Sequence, residues 1–412
     1  MTTSPAASAP AAPAHAPSAA HARAPAAAPA FDSLPPLSLY VHLPWCIRKC
    51  PYCDFNSYEA GPAGFDEGGY VAALLRDLDS ELALAQGREL ASVFIGGGTP
   101  SLFSGPAIAR LLAGIRERLP LAEAVEVTLE ANPGAAEARR FAEYRDAGVN
   151  RVSIGVQSLR SKQLARLGRV HGPAEAEYAI ELARVAGFTS FNVDLMYALP
   201  EDDVDGALAD LAAAVAHEPP HLSWYQLTLE PNTAFERKPP PLPAEELVLE
   251  TERCGRELLA AHDYARYEVS AYARAGQRCM HNLNYWQVGD YLGIGAGAHG
   301  KVTLPRDDVV ERRAKTRNPR TYVSTAGTAR AVAVERIADA HQIAVEFLMN
   351  ALRLPGGVPV ALFEQRAGQE LAAIERPLRE ARARGWLADE PGVLRPSAAG
   401  LEVLNRLLAL FC

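Results

Sequence analysis

Residues 40–57 read Tyr40-Val-His-Leu-Pro-Trp-Cys-Ile-Arg-Lys-Cys-Pro-Tyr-Cys-Asp-Phe-Asn-Ser57, and the segment leading into this run is apolar, as is typical of a β-strand. Within the run, Cys46, Cys50 and Cys53 have the spacing C-x3-C-x2-C, and no second cysteine pair follows. A structural zinc site needs four ligands, whereas three thiolates can hold three irons of a [4Fe-4S] cluster and leave the fourth iron open. The spacing therefore predicts a cluster with a chemical role. The alternative is three structural cysteines on one helix face, which the prolines within the run disfavour.

The composition is that of an enzyme-sized globular protein. The chain has 412 residues, 49% of them hydrophobic, so it can bury a large core, and the length suggests two or three domains. Its net charge of −8, without a basic block, disfavours nucleic acid as a partner. The remaining cysteines, Cys254, Cys279 and Cys412, are scattered, which predicts a reducing, cytoplasmic location. No apolar stretch reaches the length of a membrane span.

The N-terminal segment is low in complexity. Residues 1–30 are almost entirely Ala, Pro, Ser and Thr. Such a segment has too little apolar bulk to offset its chain entropy, and its prolines interrupt the apolar core that a secretory signal would need. We predict a disordered tail over residues 1–34.

From residue 37 onward, short β-branched or aromatic runs alternate with longer amphipathic ones. The strands are predicted at 37–43, 92–95, 125–130, 151–156, 191–196 and 221–227, and the helices at 70–85, 106–118, 136–147, 173–186 and 204–217. Successive βα units predict a parallel sheet that curls into a partial (β/α)6 barrel of the TIM type. An open doubly wound sheet is the alternative.

The residues that follow these strands are unusual for plain turns. Chemistry in barrels is built at the carboxyl ends of the strands, so we expect these residues to surround one opening. Glycines would let a ligand approach the backbone, carboxylates would hold an ammonium group or ribose hydroxyls, and an arginine would bind a carboxylate. The alternative for each one taken singly is an ordinary βα turn or a solvated strand end. The residues concerned are Gly97, Gly98, Thr99, Glu130, Gln157, Arg169 and Asp194.

Several runs together resemble the radical SAM superfamily and, within it, the HemN/HemW branch. They are the 40–57 run, Gly96-Gly-Gly-Thr-Pro100, Leu129-Glu-Ala-Asn-Pro133, Arg151-Val-Ser-Ile-Gly-Val-Gln-Ser158, Leu167-Gly-Arg-Val-His171, Asp194-Leu-Met-Tyr197, His281-Asn-Leu-Asn-Tyr-Trp286 and Gly293-Ile-Gly-Ala-Gly-Ala-His-Gly300. The resemblance covers nearly everything after the tail. It implies a [4Fe-4S] cluster on the three cysteines. It also implies S-adenosylmethionine (SAM) on Tyr40, Tyr52, Gly97, Gly98, Thr99 and Glu130, with Gln157, Arg169 and Asp194 in the nucleoside-binding set.

Within that branch, the resemblance implies one of two functions. Coproporphyrinogen dehydrogenases carry a further cysteine two residues after the third one, where this chain has Phe55. They also use an extended segment before the motif, which the Ala/Pro tail does not resemble. The resemblance therefore favours a heme chaperone that binds heme and transfers it to an apo-hemoprotein such as a respiratory enzyme. The alternative is an oxygen-independent coproporphyrinogen III dehydrogenase, so whether the chain is an enzyme stays open and no catalytic residue is assigned.

The segment 281–286 is the best candidate for a heme site. The His281 imidazole could ligate the iron, while Tyr285 and Trp286 could offer flat apolar surface to the macrocycle. The alternative is a packed loop in which His281 satisfies local backbone groups. Formation of a homodimer and peripheral contact with a membrane are left open.

Four regions are predicted along the chain. After the tail, a barrel with the cluster and SAM sites spans 35–240, and a connecting region spans 241–332. The last region, 333–412, is predicted as a mostly helical, winged-helix-like domain with a small hairpin formed by 385–387 and 393–395. We expect this domain to act as a lid or as a docking surface for an acceptor.

Overall fold

The computed structural model describes residues 29–134 and 139–412, and these residues form a large mixed sheet with helices around it. Most of the predicted tail, residues 1–28, lies outside the described residues. The strands of the sheet in chain order are β1 (Leu37–Leu43), β2 (Leu90–Gly97), β3 (Leu121–Ala131), β4 (Arg151–Gln157), β5 (Ser190–Tyr197), β6 (His221–Gln226), β7 (Ala265–Arg266), β8 (Ala271–Ala273), β9 (Asp290–Ile294), β10 (His299–Leu304), β11 (Val309–Lys315) and β12 (Val332–Ile337). Their order across the sheet is β12-β11-β10-β9-β1-β2-β3-β4-β5-β6-β8-β7.

The helices lie between the strands and in the C-terminal region. They are α1 (Glu67–Glu81), α2 (Gly105–Arg116), α3 (Phe141–Ala147), α4 (Ser161–Arg166), α5 (Pro173–Val185), α6 (Val204–Ala216), α7 (Ala234–Arg237), α8 (Glu245–Ala261), α9 (Met280–Trp286), α10 (Pro319–Thr325), α11 (Ala340–Ala351), α12 (Val360–Ala367), α13 (Glu375–Ala383), α14 (Ala398–Glu402) and α15 (Leu404–Leu408). Helix α3 ends at Gly148, whose φ of 105° is a left-handed conformation that favours glycine. The beginning of the predicted helix 136–147 falls on residues 135–138, outside the described residues.

The predicted fold class is confirmed. Strands β1 to β6 pair in parallel in their chain order, as the six predicted βα units require. All seven residues of β1 are buried, because both faces of this central strand are covered. The parallel strands form a partial and not a closed barrel: β9 continues them in parallel beyond β1, and antiparallel strands follow at each end. Among the described residues, no helix is both long and apolar enough to cross a membrane.

The prediction that residues 241–332 form a connecting region is corrected by the structure. This region contributes β7 to β11 to the central sheet, and β12 runs across the predicted boundary at residue 333. Strand β9 pairs in parallel with β1, with Leu37 opposite Asp290 and Val41 opposite Ile294. This pairing joins segments some 250 residues apart in the chain, so the region is part of the barrel domain and not a linker.

The C-terminal region has a hydrophobic core of its own. Phe347 of α11 meets Phe363 of α12 edge-to-face, with ring centroids 5.2 Å apart. The predicted hairpin is corrected in its pairing. Val393–Leu394 pairs with Val358–Pro359, while Leu387 makes only an isolated bridge to Pro396. The predicted closing helix is divided into α14 and α15.

The end of the predicted tail also needs correction. The Phe31 side chain is buried in the core of the C-terminal region, and the N–H of Ala30 donates to the carbonyl of Gly368 at 2.8 Å. Burial of an aromatic ring stabilises the folded protein, and the small Ala and Pro side chains around it have too little apolar surface to do the same. The ordered chain therefore begins before residue 35.

Gly255 of α8 gives a test of how tightly the helix packs on the sheet. A Cβ at this position would overlap the ring of Trp224 on β6, and that ring is held by Tyr197 with centroids 4.4 Å apart. We expect Gly255→Ala to lower the free energy of unfolding by about 1–3 kcal/mol through overpacking. Chemical denaturation measures the change. The matched control is Gly356→Ala, where an added Cβ meets no atom within 4 Å and should change stability by less than about 0.5 kcal/mol. Equal stability of the two variants would contradict the packing shown by the structure.

Candidate functional site

The inner face of the parallel sheet is polar and encloses a cavity of about 190 Å³. Every second residue of a strand points to the same face, so an alternating polar pattern gives one polar wall. This pattern places side chains from three neighbouring strands on the cavity, namely Arg151, Ser153 and Gln157 of β4, Asn192 and Asp194 of β5, and His221, Ser223 and Tyr225 of β6. The cysteine loop after β1 and the glycine turn after β2 also line the cavity. A barrel interior of this kind is a binding site and not a packed apolar core.

Backbone hydrogen bonds hold the cysteine loop against the glycine turn. The N–H of Thr99 donates to the carbonyl of Trp45 at 2.7 Å, and the N–H of Ala60 donates to the carbonyl of Cys46 at 2.9 Å. Cys46, Cys50 and Cys53 are unpaired thiols that all line the cavity. The structure therefore brings together the three cysteines of the predicted cluster.

The donor set fits a cluster better than a single metal ion. Among the described residues, no group of three or more His, Cys, Asp or Glu side chains is arranged to hold one ion. A [4Fe-4S] cube instead takes one cysteine per iron, so its thiolates need not converge. Burial raises the pKa of the Cys46 thiol and raises that of Cys53 to about 12, and metal binding would displace these protons. The Arg169 guanidinium donates to the Cys50 sulfur at 3.6 Å and would stabilise a thiolate there.

Close packing explains the glycine turn in part. A Cβ on Gly97 would lie 2.7 Å from the His42 ring, and the φ of 118° at Gly97 favours glycine. A Cβ on Gly98 would lie 2.5 Å from the Trp45 carbonyl oxygen. Both glycines also line the cavity, so the same turn exposes backbone to a ligand.

Two buried carboxyl groups, Glu130 and Asp194, face the cavity near this turn. Glu130 accepts a hydrogen bond from the Gly97 N–H at 3.0 Å. Burial, with Asp194 as the second cause, raises the pKa of Glu130 to about 8. Burial also raises the pKa of Asp194, against hydrogen bonds from Asn192 and Ser153. A cationic group entering between them would favour the ionised carboxylates, as an ammonium or sulfonium group of SAM would.

Three further predicted residues lie on the same wall. The Arg169 guanidinium donates to the carbonyl of Gly155 and to the amide oxygen of Asn132, both at 2.6 Å. The side-chain oxygen of Gln157 accepts from the Tyr225 hydroxyl at 2.6 Å, and its φ of 70° is left-handed. Tyr52 lines the cavity, and burial raises the pKa of its hydroxyl. All the residues predicted for SAM therefore line the cavity, with one exception.

The exception is Tyr40, which lies behind the cavity wall and is not among the lining residues. Its hydroxyl is hydrogen-bonded to Nδ1 of His42 at 2.9 Å. Its ring stacks on Phe94 and on His281, with centroid distances of 6.3 and 6.4 Å. Tyr40 therefore supports the wall from outside.

The predicted heme segment forms helix α9, and only His281 of the three predicted residues lines the cavity. Trp286 is buried in the C-terminal core, with the Arg353 guanidinium 5.0 Å from its ring centroid. Tyr285 packs edge-on against His281 and Tyr291, each at 4.6 Å between centroids. Trp286 is thus buried and Tyr285 half-buried, and the heme role of these two rings stays a prediction.

Several residues of the cavity were not assigned to a site from the sequence. They are Asn132, Arg151, Ser153, Asn192, His221, Ser223, Tyr225, Glu268, Ser270, Cys279 and Asn282. Some were accessible from the sequence, since a polar residue at every second position of a strand predicts a polar inner face. That signal is present from Arg151 to Gln157 and from His221 to Tyr225. No comparable pattern marks Glu268 or Cys279.

Two family models match this chain. The model of the radical SAM superfamily matches residues 40–212, and that of the HemN C-terminal domain matches residues 338–403. In fold, the chain resembles "Coproporphyrinogen III oxidase (HemN) from Escherichia coli", with a TM-score of 0.77 over 92% of this chain and 90% of that one, at 22% identity. The fold and the cysteine-lined cavity thus define a radical SAM protein.

Curated relatives are more similar still. "Heme chaperone HemW" of Escherichia coli (strain K12) is 51% identical over 92% of this chain and 98% of its own length. A protein of the same name from Haemophilus influenzae is 45% identical, with the same coverage of both chains. The chain belongs to the HemW family.

Proposed function

We propose that this protein is a heme chaperone that binds heme and passes it to an apo-hemoprotein, such as a respiratory enzyme, in the cytoplasm. The observation that carries the proposal is the 51% identity to a relative named heme chaperone HemW over 98% of that relative's length. The six unpaired cysteines agree with a reducing compartment. Self-association as a homodimer and peripheral membrane contact are further parts of the proposal that solution experiments can decide.

Within this function, Cys46, Cys50 and Cys53 would hold a [4Fe-4S] cluster at the cavity mouth. The backbone of Gly97 and Gly98 and the carboxylates of Glu130 and Asp194 would hold SAM beside it. When bound, the cluster would supply an open iron that SAM can chelate and an electron for redox chemistry. The Arg169 guanidinium places a positive charge next to Cys50. The backbone hydrogen bond between the cysteine loop and the glycine turn would keep the thiols on the cavity.

The test is an anaerobic haemin titration of the cluster-reconstituted protein, followed by the Soret band. We expect saturable, near-stoichiometric binding by wild type, because a chaperone must hold its cargo. His281→Ala should weaken binding if the imidazole ligates the iron. The control is His262→Ala, an exposed histidine at the end of α8 whose Nδ1 bonds only the Leu258 carbonyl. Binding that does not saturate in wild type would overturn the proposal. Unchanged binding in His281→Ala would keep the chaperone and remove this ligand.

Phe55 distinguishes the proposal from the dehydrogenase alternative. Phe55 lines the cavity where the dehydrogenases have a further cysteine. We expect the Phe55→Cys variant to decarboxylate no coproporphyrinogen. HemN is only 22% identical to this chain, and one added thiol does not make up for the other sequence differences. Chromatography of the porphyrin products measures this, with Ile47→Cys as a control that adds a thiol to the same cavity. Decarboxylation by the Phe55→Cys variant, and not by the Ile47→Cys control, would show that this one residue separates the chain from a coproporphyrinogen dehydrogenase.

A further inference from the structure

The cavity extends from the cysteine loop to the opposite end of the sheet. Arg151 is the first residue of β4 and Gln157 is the last, and both line the cavity. At about 3.3 Å per residue, they lie roughly 20 Å apart along the strand. We call Arg151 and His281 the floor group, since both line the cavity near the beginning of β4, where the Glu126 carboxylate accepts the His281 N–H at 3.1 Å and lies 4.0 Å from Arg151 Nε.

Each member of the floor group is 2% exposed and has side-chain nitrogen or oxygen atoms without a hydrogen-bond partner. These atoms are Nε of Arg151 and both Nδ1 and Nε2 of His281. Buried polar groups are almost always hydrogen-bonded, because an unmade bond costs free energy. Two such neighbouring side chains on one cavity indicate that a ligand completes them.

Arg151 is the charged member of the floor group. Among the described residues, its one ion pair is with Glu126, at 4.0 Å between Nε and Oε2. The Glu126 carboxylate is already occupied at the beginning of α9, where it accepts the N–H groups of Met280 and His281, each at 3.1 Å, and the Cys279 thiol at 3.4 Å. A buried guanidinium needs a well-placed anion, and a carboxylate matches its planar fork.

The surrounding charges permit an anion here. The acidic groups that line the cavity are Glu130, Asp194 and Glu268, and burial raises the pKa of each. Each therefore carries a negative charge less readily than an exposed carboxyl group, while Arg151 keeps its charge. The His281 imidazole is neutral at pH 7, because burial and then Arg151 lower its pKa to about 3, so one ring nitrogen carries a proton to donate.

We propose that the floor of the cavity binds a carboxylate on a short aliphatic arm, with Arg151 as its ionic partner and His281 as a second donor. A small acid, or a short arm of a larger ligand, can reach Arg151 from the cavity without the whole ligand entering it. The carboxylate comes either from a free small acid or from a propionate of heme, and the second source rests on the proposed function.

The first arm of the test uses sodium propionate, with propionamide and equal ionic strength of sodium chloride as references. We expect propionate alone to raise the thermal unfolding midpoint of wild type, and Arg151→Gln to lose this ligand-dependent shift. Arg118→Gln is the matched control, since Arg118 pairs with Asp79 on the outer surface. The acid-against-amide comparison needs only wild type, so it stands even where Arg151→Gln fails to fold. No difference between propionate and propionamide in wild type overturns the proposal.

The second arm compares haemin with haemin dimethyl ester by Soret titration. If the arm is a heme propionate, the ester binds wild type about tenfold more weakly, and this difference disappears in Arg151→Gln. If the ester binds as tightly as haemin while propionate still stabilises the protein, the ligand is a free small acid. Stabilisation by propionate without any haemin binding would refute the chaperone and keep the floor site, so the two failures are distinguishable.

Discussion

Replacement of Cys50 with Ser is expected to abolish assembly of the [4Fe-4S] cluster. Cys46, Cys50 and Cys53 are the three unpaired thiols of the cysteine loop on the cavity, and a cube with one open iron needs all three. Serine cannot substitute, because its hydroxyl does not ionise near neutral pH and is a poor ligand for iron. Absorbance and iron content after anaerobic reconstitution measure the loss.

The control for this variant is Cys254→Ser. Cys254 is likewise an unpaired thiol, but it lies on α8 outside the cavity. It should reconstitute like wild type. A full iron content and an unchanged spectrum in Cys50→Ser would refute the assignment of the cluster to this loop.

Replacement of Glu130 with Gln is expected to weaken SAM binding by about 2–5 kcal/mol, or thirtyfold and more, when measured by calorimetry at pH 7.5. Glutamine is nearly the same shape, and its carbonyl oxygen can still accept the Gly97 N–H that Glu130 accepts at 3.0 Å. The variant therefore removes the charge and leaves the turn in place. The matched control is Glu143→Gln, which removes a carboxylate that accepts the Gly105 N–H outside the cavity. Equal affinities of the Glu130 variant and wild type would remove Glu130 from the site.

The pH dependence of SAM binding follows from the same carboxyl group. Its pKa without ligand is about 8, so at pH 6 and 7 most of the protein holds it protonated and must release that proton to bind a cation. Wild-type affinity should therefore rise about tenfold from pH 6 to pH 7. Near pH 8 the α-amino group of SAM loses its own proton, so the rise should end there. In Glu130→Gln the rise should be absent, and a variant that kept the wild-type slope would assign the proton to another group.

Local sequence patterns were enough to predict the parallel core and to place the candidate site residues at its mouth. The six predicted strands all exist, and β1 has the predicted bounds, because a run of β-branched and apolar residues between turn residues is a local signal. The three cysteines also lie together with the predicted cavity residues, since parallel strands bring their carboxyl ends to one edge. These residues are Gly97, Gly98, Thr99, Glu130, Gln157, Arg169 and Asp194.

Two features depend on tertiary contacts: the strands that extend the sheet beyond β1, and the set of side chains that line the cavity. Residues 290–337 join the sheet through the pairing of β9 with β1, and this contact between distant segments leaves no trace in either segment alone. Packing also removed Tyr285 and Trp286 from the cavity, while it placed Arg151 and His281 on it without hydrogen-bond partners for the Arg151 Nε or the His281 ring nitrogens. A local pattern states which residues are polar or aromatic. Which of them share a cavity depends on how segments far apart in the chain meet.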